Sequence, residues 1–140
     1  MLNLKPYEKI FVGGVILQNG GRRGEIRVID QEVGVLRLSD ALHPDDVNTP
    51  LTRVYYAAQL LLVGDVDEAE GIQRLQRLMD EAVHGFAGFS IHRDVEKAAI
   101  AAEKSQFYKV LRILRPLLAI EAALLLSLPD KVDFKRAVND

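Results

Sequence analysis

Hydrophobic residues change their spacing once along this 140-residue chain, near Thr49, and that change argues against a uniform all-α or all-β fold. Before residue 40 the apolar residues come in short β-branched runs. Lys9-Ile10-Phe11-Val12 and Val15-Ile16-Leu17 flank Gly13-Gly14, and Glu25-Ile26-Arg27-Val28-Ile29 alternates with period two, as a half-buried strand does. Between them, Asn19-Gly20-Gly21-Arg22-Arg23-Gly24 is rich in residues that tolerate positive φ, so the chain can reverse there at low steric cost. Val33 to Leu38 predicts one more strand after a turn at Asp30-Gln31-Glu32, and Leu2 with Leu4 predicts an edge strand. Residues 1–48, closing with a Pro44-containing linker from Ser39 to Asn48, are therefore expected to form a β-rich layer, either a small antiparallel sheet or an open barrel.

After Thr49 the spacing becomes three and four. Thr49-Pro50 offers a capping oxygen and a proline suited to the first helical position, so a helix is expected from Pro50 to about Val63, ended by Gly64. Asp67 and Glu70 have capping-box spacing for a second helix to about Val83, with Ile72, Leu75, Leu78 and Met79 on its buried stripe. Ser90 is expected to cap a third helix, in which Ile91, Val95, Ala98, Ala99 and Ala102 share a face. A fourth, from Ser105 to about Leu126, contains Pro116, which should kink or split it. The expected class is α+β: the N-terminal β layer, a bundle of about four helices over residues 49–128, and a C-terminal tail over 129–140.

Composition narrows the chemistry. With no cysteine, disulfides, thiolate metal sites and cysteine nucleophiles are excluded, and a reducing, cytoplasmic setting is expected. The stretch from Pro116 to Pro129 carries Glu121 and falls short of the ~20 apolar residues that span a bilayer, so no membrane partner is expected. A net charge of −2 lacks the strongly basic signature of a generic nucleic-acid binder, although nine of the 18 basic residues lie after residue 88.

No catalytic constellation stands out. His84 and His92 lack the spacing of a zinc-binding helix, and His43 reads as part of the linker. The acids from Asp65 to Glu70 suit the first turn of a helix better than a cation loop. Neither glycine pair has nucleotide-loop spacing, and no serine sits in a nucleophile elbow. The expectation is a non-enzyme with no cofactor and no metal. What remains is basic and aromatic. Arg22 and Arg23, with Arg27 on the next strand and Lys9, are candidates for phosphate contacts, because planar guanidinium groups reach phosphate oxygens with paired N–H bonds. The residues alone leave open a merely solvated hairpin tip. Lys97, Lys104, Lys109, Arg112 and Arg115 are a second basic set, in which Lys97, Lys104 and Arg115, flanked by Arg112, would form a stripe if 91–115 were one continuous helix. Tyr55-Tyr56 and Phe107-Tyr108 are adjacent pairs that point about 100° apart on a helix, so one member of each can face outward. Tyr55, Tyr56, Tyr108 and Arg112 are the candidates for partner binding.

Four ordered blocks resemble the flagellum biosynthesis repressor FlbT family of alphaproteobacteria. They are Leu2-Asn3-Leu4-Lys5-Pro6-Tyr7-Glu8-Lys9-Ile10, Asn19-Gly20-Gly21-Arg22-Arg23, Thr49-Pro50-Leu51-Thr52-Arg53-Val54-Tyr55-Tyr56-Ala57-Ala58-Gln59-Leu60, and Phe107 to Arg115 with Glu121. The opening strand, Glu8 and second strand also resemble the carbon-storage regulator family of small β-rich RNA binders. Pro116 and the Gly85 to Phe89 segment depart from the FlbT pattern. The resemblance implies post-transcriptional control of flagellin through the 5′ untranslated region of its messenger RNA, by promoting degradation or blocking translation. The partner implied is that flagellin mRNA leader. The alternative is a module that binds flagellin or a flagellin chaperone, and self-association into a homo-oligomer is a further expectation.

Overall fold

The computed structural model describes residues 1–30 and 33–127, so the expected tail over 129–140 and the turn residues Gln31 and Glu32 lie outside the described residues. The architecture is α+β, with strands first and helices after. The strands are β1 (Leu2–Leu4), β2 (Lys9–Val12), β3 (Val15–Gln18), β4 (Gly24–Ile26) and β5 (Val35–Arg37). They form two small antiparallel sheets: β1 pairs with β4, and β2 lies between β3 and β5. Two strands are shorter than their period suggests. The β4 ladder ends at Ile26, where the β1 register ends at Leu2, and β5 gives way at Leu38 to a 3-10 turn.

The sheets are joined by side chains. Arg37 Nη1 donates to Glu8 Oε2 at 2.6 Å and Nη2 donates to the Asn3 carbonyl at 2.8 Å, linking β5, the segment before β2, and β1. The bond to Arg37 is the main reason the Glu8 carboxyl titrates below its ordinary range, and the Lys5 backbone N–H adds to it.

The helices are α1 (Pro50–Val63), α2 (Glu68–Gly85), α3 (His92–Glu103) and α4 (Phe107–Ser127). α1 starts and stops where its local signals say. Thr49 Oγ1 accepts from the Thr52 N–H, Thr52 Oγ1 accepts from the Thr49 N–H, and Gly64 takes a left-handed φ of 78°. Asp67 likewise caps α2 by accepting from the Glu70 N–H at 3.1 Å. Ser90 does not cap α3: it is exposed, and the helix begins at His92 with no side-chain cap. Packing sets that boundary instead. Phe86 and Ile91 are buried on either side of the turn, and Phe89 meets Phe86 edge-on at 5.8 Å, so α2 runs on to Gly85 and the segment reverses around an aromatic pair. Pro116 does not split α4, which runs through it.

α1 packs on α2, α4 and β5 and so carries both layers. Its Leu51, Val54 and Ala58 are fully buried with Val95 of α3 and Leu111 and Leu114 of α4, and each large side chain so buried contributes roughly 1.5–3 kcal/mol. The β layer reaches this core through Leu36 and sits very close to α1. A Cβ on Gly34 would lie 2.1 Å from the Leu62 carbonyl oxygen, so no larger residue fits without moving backbone. The linker is fixed by Gln59, whose amide accepts from the Leu42 N–H at 2.8 Å and donates to the Leu42 carbonyl at 3.1 Å.

One buried acid completes the frame. Glu121 of α4 is fully buried, and its carboxylate accepts from the Thr49 hydroxyl and, at 2.8 Å, from the Leu51 N–H. It thus caps the N-terminus of α1 from 70 residues away, where the helix dipole favours negative charge. Burial pushes its carboxyl above the ordinary range, against these two hydrogen bonds.

Candidate nucleic-acid interface

The loop from Asn19 to Arg23 is held in place by its neighbours. Asn19 Nδ2 donates at 2.8 Å to the carbonyls of both Lys5 and Arg22, and the Tyr7 N–H donates to the Gly20 carbonyl at 2.9 Å. Tyr7, itself at a positive φ of 59°, lays its ring over the turn so closely that a Cβ on Gly21 would lie 2.8 Å from its hydroxyl. Arg22 and Arg23 leave this braced turn exposed, and neither forms an ion pair among the described residues.

Two clefts border the β layer, and the smaller of them is lined by Arg23 of the loop. The larger, about 950 Å³, opens between the layers, with Leu61, Leu62 and Val66 on the helical side and Arg27, Arg37, Tyr108 and Lys109 among its polar and aromatic lining. The smaller, about 750 Å³, is lined by Lys5, Arg23, Arg37 and Ser39 and by the acids Glu8 and Glu25, with Arg37 already held by Glu8. Arg37 and Asp40 line both. The folded chain thus places Arg23 on one cleft, Arg27 on the other, and Arg37 between them. Tyr108, 48% exposed, supplies a ring beside Arg27 and Lys109 that a base could stack on. Lys9 is exposed on β2 opposite Gln18, and Arg112 is exposed on α4; neither lines these clefts.

Tyr55 is not available to a partner, which corrects its place among the binding candidates. It is 1% exposed, its hydroxyl donates to the Asp40 carbonyl at 2.5 Å, and Arg115 Nε donates back to it at 3.3 Å. Burial raises its pKa above the ordinary tyrosine value. The adjacent Tyr56 is half-buried over the linker, beside His43 and Pro44. The basic stripe is also dissolved. α3 ends at Glu103, Ser105 takes a positive φ of 56°, and α4 starts at Phe107, so Lys97 and Lys104 do not continue the line of Arg115. Lys97 lies 3.9 Å from Asp94, and Arg115 lies 3.4 Å from Asp40 at the inner edge of the clefts.

Lys109 belongs to the second basic set of the sequence, whereas Arg37 and Lys5 carry no local signal of a site. Arg37 sits at an alternating strand position that looks merely solvated, and its value comes from pairings 29 and 34 residues away that no local window contains. The histidines have local partners: His84 Nδ1 meets the Asp80 carbonyl at 2.8 Å, and His92 lies 3.1 Å from Glu96. Among the described residues no three histidines or carboxylates converge as metal ligands, and no helix is long and apolar enough to cross a membrane.

The family described as Flagellar protein FlbT matches residues 1–125. The chain belongs to the FlbT family. It is 31% identical over 124 residues to the flagellum biosynthesis repressor protein FlbT of Caulobacter vibrioides, covering 86% of this chain and 84% of that relative. To the probable flagellum biosynthesis repressor protein FlbT of Rhodopseudomonas palustris it is 31% identical over 127 residues, covering 89% and 95%. No solved structure matches it. All four blocks that carry the resemblance fall within the matched span, and the braced arginine turn and the Glu121 cap lie inside two of them.

Proposed function

We propose that this FlbT-family chain regulates flagellum biogenesis by binding the 5′ untranslated region of flagellin messenger RNA, lowering translation or exposing the message to cellular nucleases. The observation that carries this reading is the braced turn. It holds Arg22 and Arg23 exposed and without an ion pair among the described residues, with Arg23 on the cleft it shares with Lys5, while Arg27, Lys109 and Tyr108 line a second cleft. Guanidinium groups would contact phosphates and the tyrosine would stack on an unpaired base, so no catalytic group is required.

The test is a mobility-shift titration of a flagellin leader against salt. The wild type should bind with a steep salt dependence, and Arg22→Ala/Arg23→Ala should weaken binding and flatten the log–log slope by ~1.4, as two lost contacts to single-stranded phosphates predict. Unchanged affinity in the double variant would remove the loop from the account.

A second reading has its own observation. On α4, Pro116, Ala119, Ile120, Ala123 and Leu126 are exposed, and Glu121, the one charged residue after Arg115 in that helix, points inward. Such an apolar outer face favours a protein partner such as flagellin or a flagellin chaperone, with the message regulated indirectly. Co-elution with flagellin and indifference to the leader RNA would decide for it.

A further inference from the structure

β3 is apolar where an exposed strand ordinarily is not. All four of its residues are exposed, with Val15 at 56%, Ile16 at 55% and Leu17 at 47%. Among the described residues it is the outer strand of its sheet, with no strand beside one side of its backbone. Soluble proteins guard such edges with lysine, proline or a bulge. Here the twelve residues from Ile10 to Gly21 contain no Asp, Glu, Lys or Arg, in a chain that is 27% charged.

The turn determines which backbone groups face the open side. Gly13 and Gly14, with φ of 57° and 86°, form a two-residue connection of type I′, which makes Val12 and Val15 a hydrogen-bonded pair. Alternation then bonds Ile10 to Leu17 and Glu8 to Asn19, and the Asn19 N–H donates to the Glu8 carbonyl at 2.8 Å in that phase. The N–H and C=O of Ile16 therefore point away from β2, into the open edge.

We propose that β3 pairs antiparallel with β3 of a second copy of this chain, about a twofold axis at Ile16, joining two three-stranded sheets into one of six strands. In this register Ile16 exchanges both backbone bonds with its counterpart, and Val15 stands opposite Leu17 of the other copy. A twofold axis sets each side chain near it beside its own image, so any charge there would face a like charge. The uncharged run meets that requirement. A foreign peptide would use the same hydrogen bonds without needing such self-matching. No β3 residue lines the arginine clefts, so this pairing and RNA binding can fail separately.

Light scattering of the full chain across a concentration series should show a monomer–dimer equilibrium. Ile16→Pro deletes the outward N–H and spares the bonds to β2, and should raise the dimer dissociation constant by at least about tenfold. Ile16→Lys, which keeps the backbone and puts like charges face to face, should do the same, with circular dichroism confirming that both variants fold. Because the chain has no cysteine, Ile16→Cys can form a disulfide only between copies. It should oxidise to a covalent dimer faster than Ile100→Cys, a 53%-exposed site on α3. A wild type that stays monomeric throughout, with Ile16→Cys no faster than Ile100→Cys, overturns the proposal. So does a dimer that both Ile16 substitutions leave intact, or a monomer that instead takes up an added β-strand peptide at this edge.

Discussion

In the helical layer, Val54, Ala58, Val95, Leu111 and Leu114 are wholly sealed from solvent. Among the described residues of the five strands, only Leu4, Ile10 and Leu36 reach burial of this kind. The helices therefore keep their shape by apolar packing, with one interior carboxylate set against a helix end. The strands depend on side-chain clamps at or near the surface: Arg37 across Glu8 and Asn3, and Asn19 across Lys5 and Arg22. The difference teaches where opening begins. Regions with few buried contacts and exposed hydrogen bonds open first, so the layer that presents the arginines is expected to lose hydrogen-exchange protection before the helices do.

The strongest way to break this contrast is to remove the interior carboxylate. Glu121→Ala strands the buried Leu51 N–H, removes the Thr49 hydroxyl's partner and leaves a cavity, and should cost about 3 kcal/mol in urea unfolding, melting both layers together because α1 carries both. Next comes the contact between layers. Gly34→Ala forces a methyl onto the Leu62 carbonyl and should cost about 2 kcal/mol, with hydrogen-exchange protection lost in β2 and β5 before it is lost in α1 and α4. Equal loss in both layers would mean that they form one cooperative unit.

The smallest effect is the most diagnostic, because the two glutamates have opposite signs. Glu8 titrates below its ordinary value in the folded chain. Its stabilisation is present above that ordinary value and is lost as pH falls through the folded one. Glu121 titrates above its ordinary value, so the folded state holds the extra proton, and stability falls as pH rises from the ordinary value through the raised one. Urea midpoints across the acid range should therefore lose the lower, rising limb in Glu8→Gln and the upper, falling limb in Glu121→Gln.

Much of the frame was legible in local pattern, because its signals are local. Thr49-Pro50 and Gly64 bound α1 to the residue, and Gly13-Gly14 placed the hairpin turn. Where a boundary is set by packing, local signals misled. Ser90 has the right chemistry for a cap, yet burial of Phe86 and Ile91 moves the start of α3 past it. The candidate site was half legible. A glycine-rich loop with two arginines is visible as a string of letters, and the partners that brace it, Tyr7 and the Lys5 carbonyl, are not. Tyr55 shows the same limit, since nothing in an adjacent tyrosine pair says which ring turns inward toward Asp40 and Arg115.

The grip of Gln59 on Leu42 divides the connector between the layers into two stretches with different tolerance for change. Because that one amide holds both backbone groups of Leu42, the span from His43 to Asn48 is tethered at each end, by Gln59 and by the Thr49 cap. Extra residues there would bulge outward and leave the sheets where they are. A residue gained or lost between Arg37 and Leu42 would instead pull the strands out of step with α1, so evolution has slack on one side of a single leucine and almost none on the other.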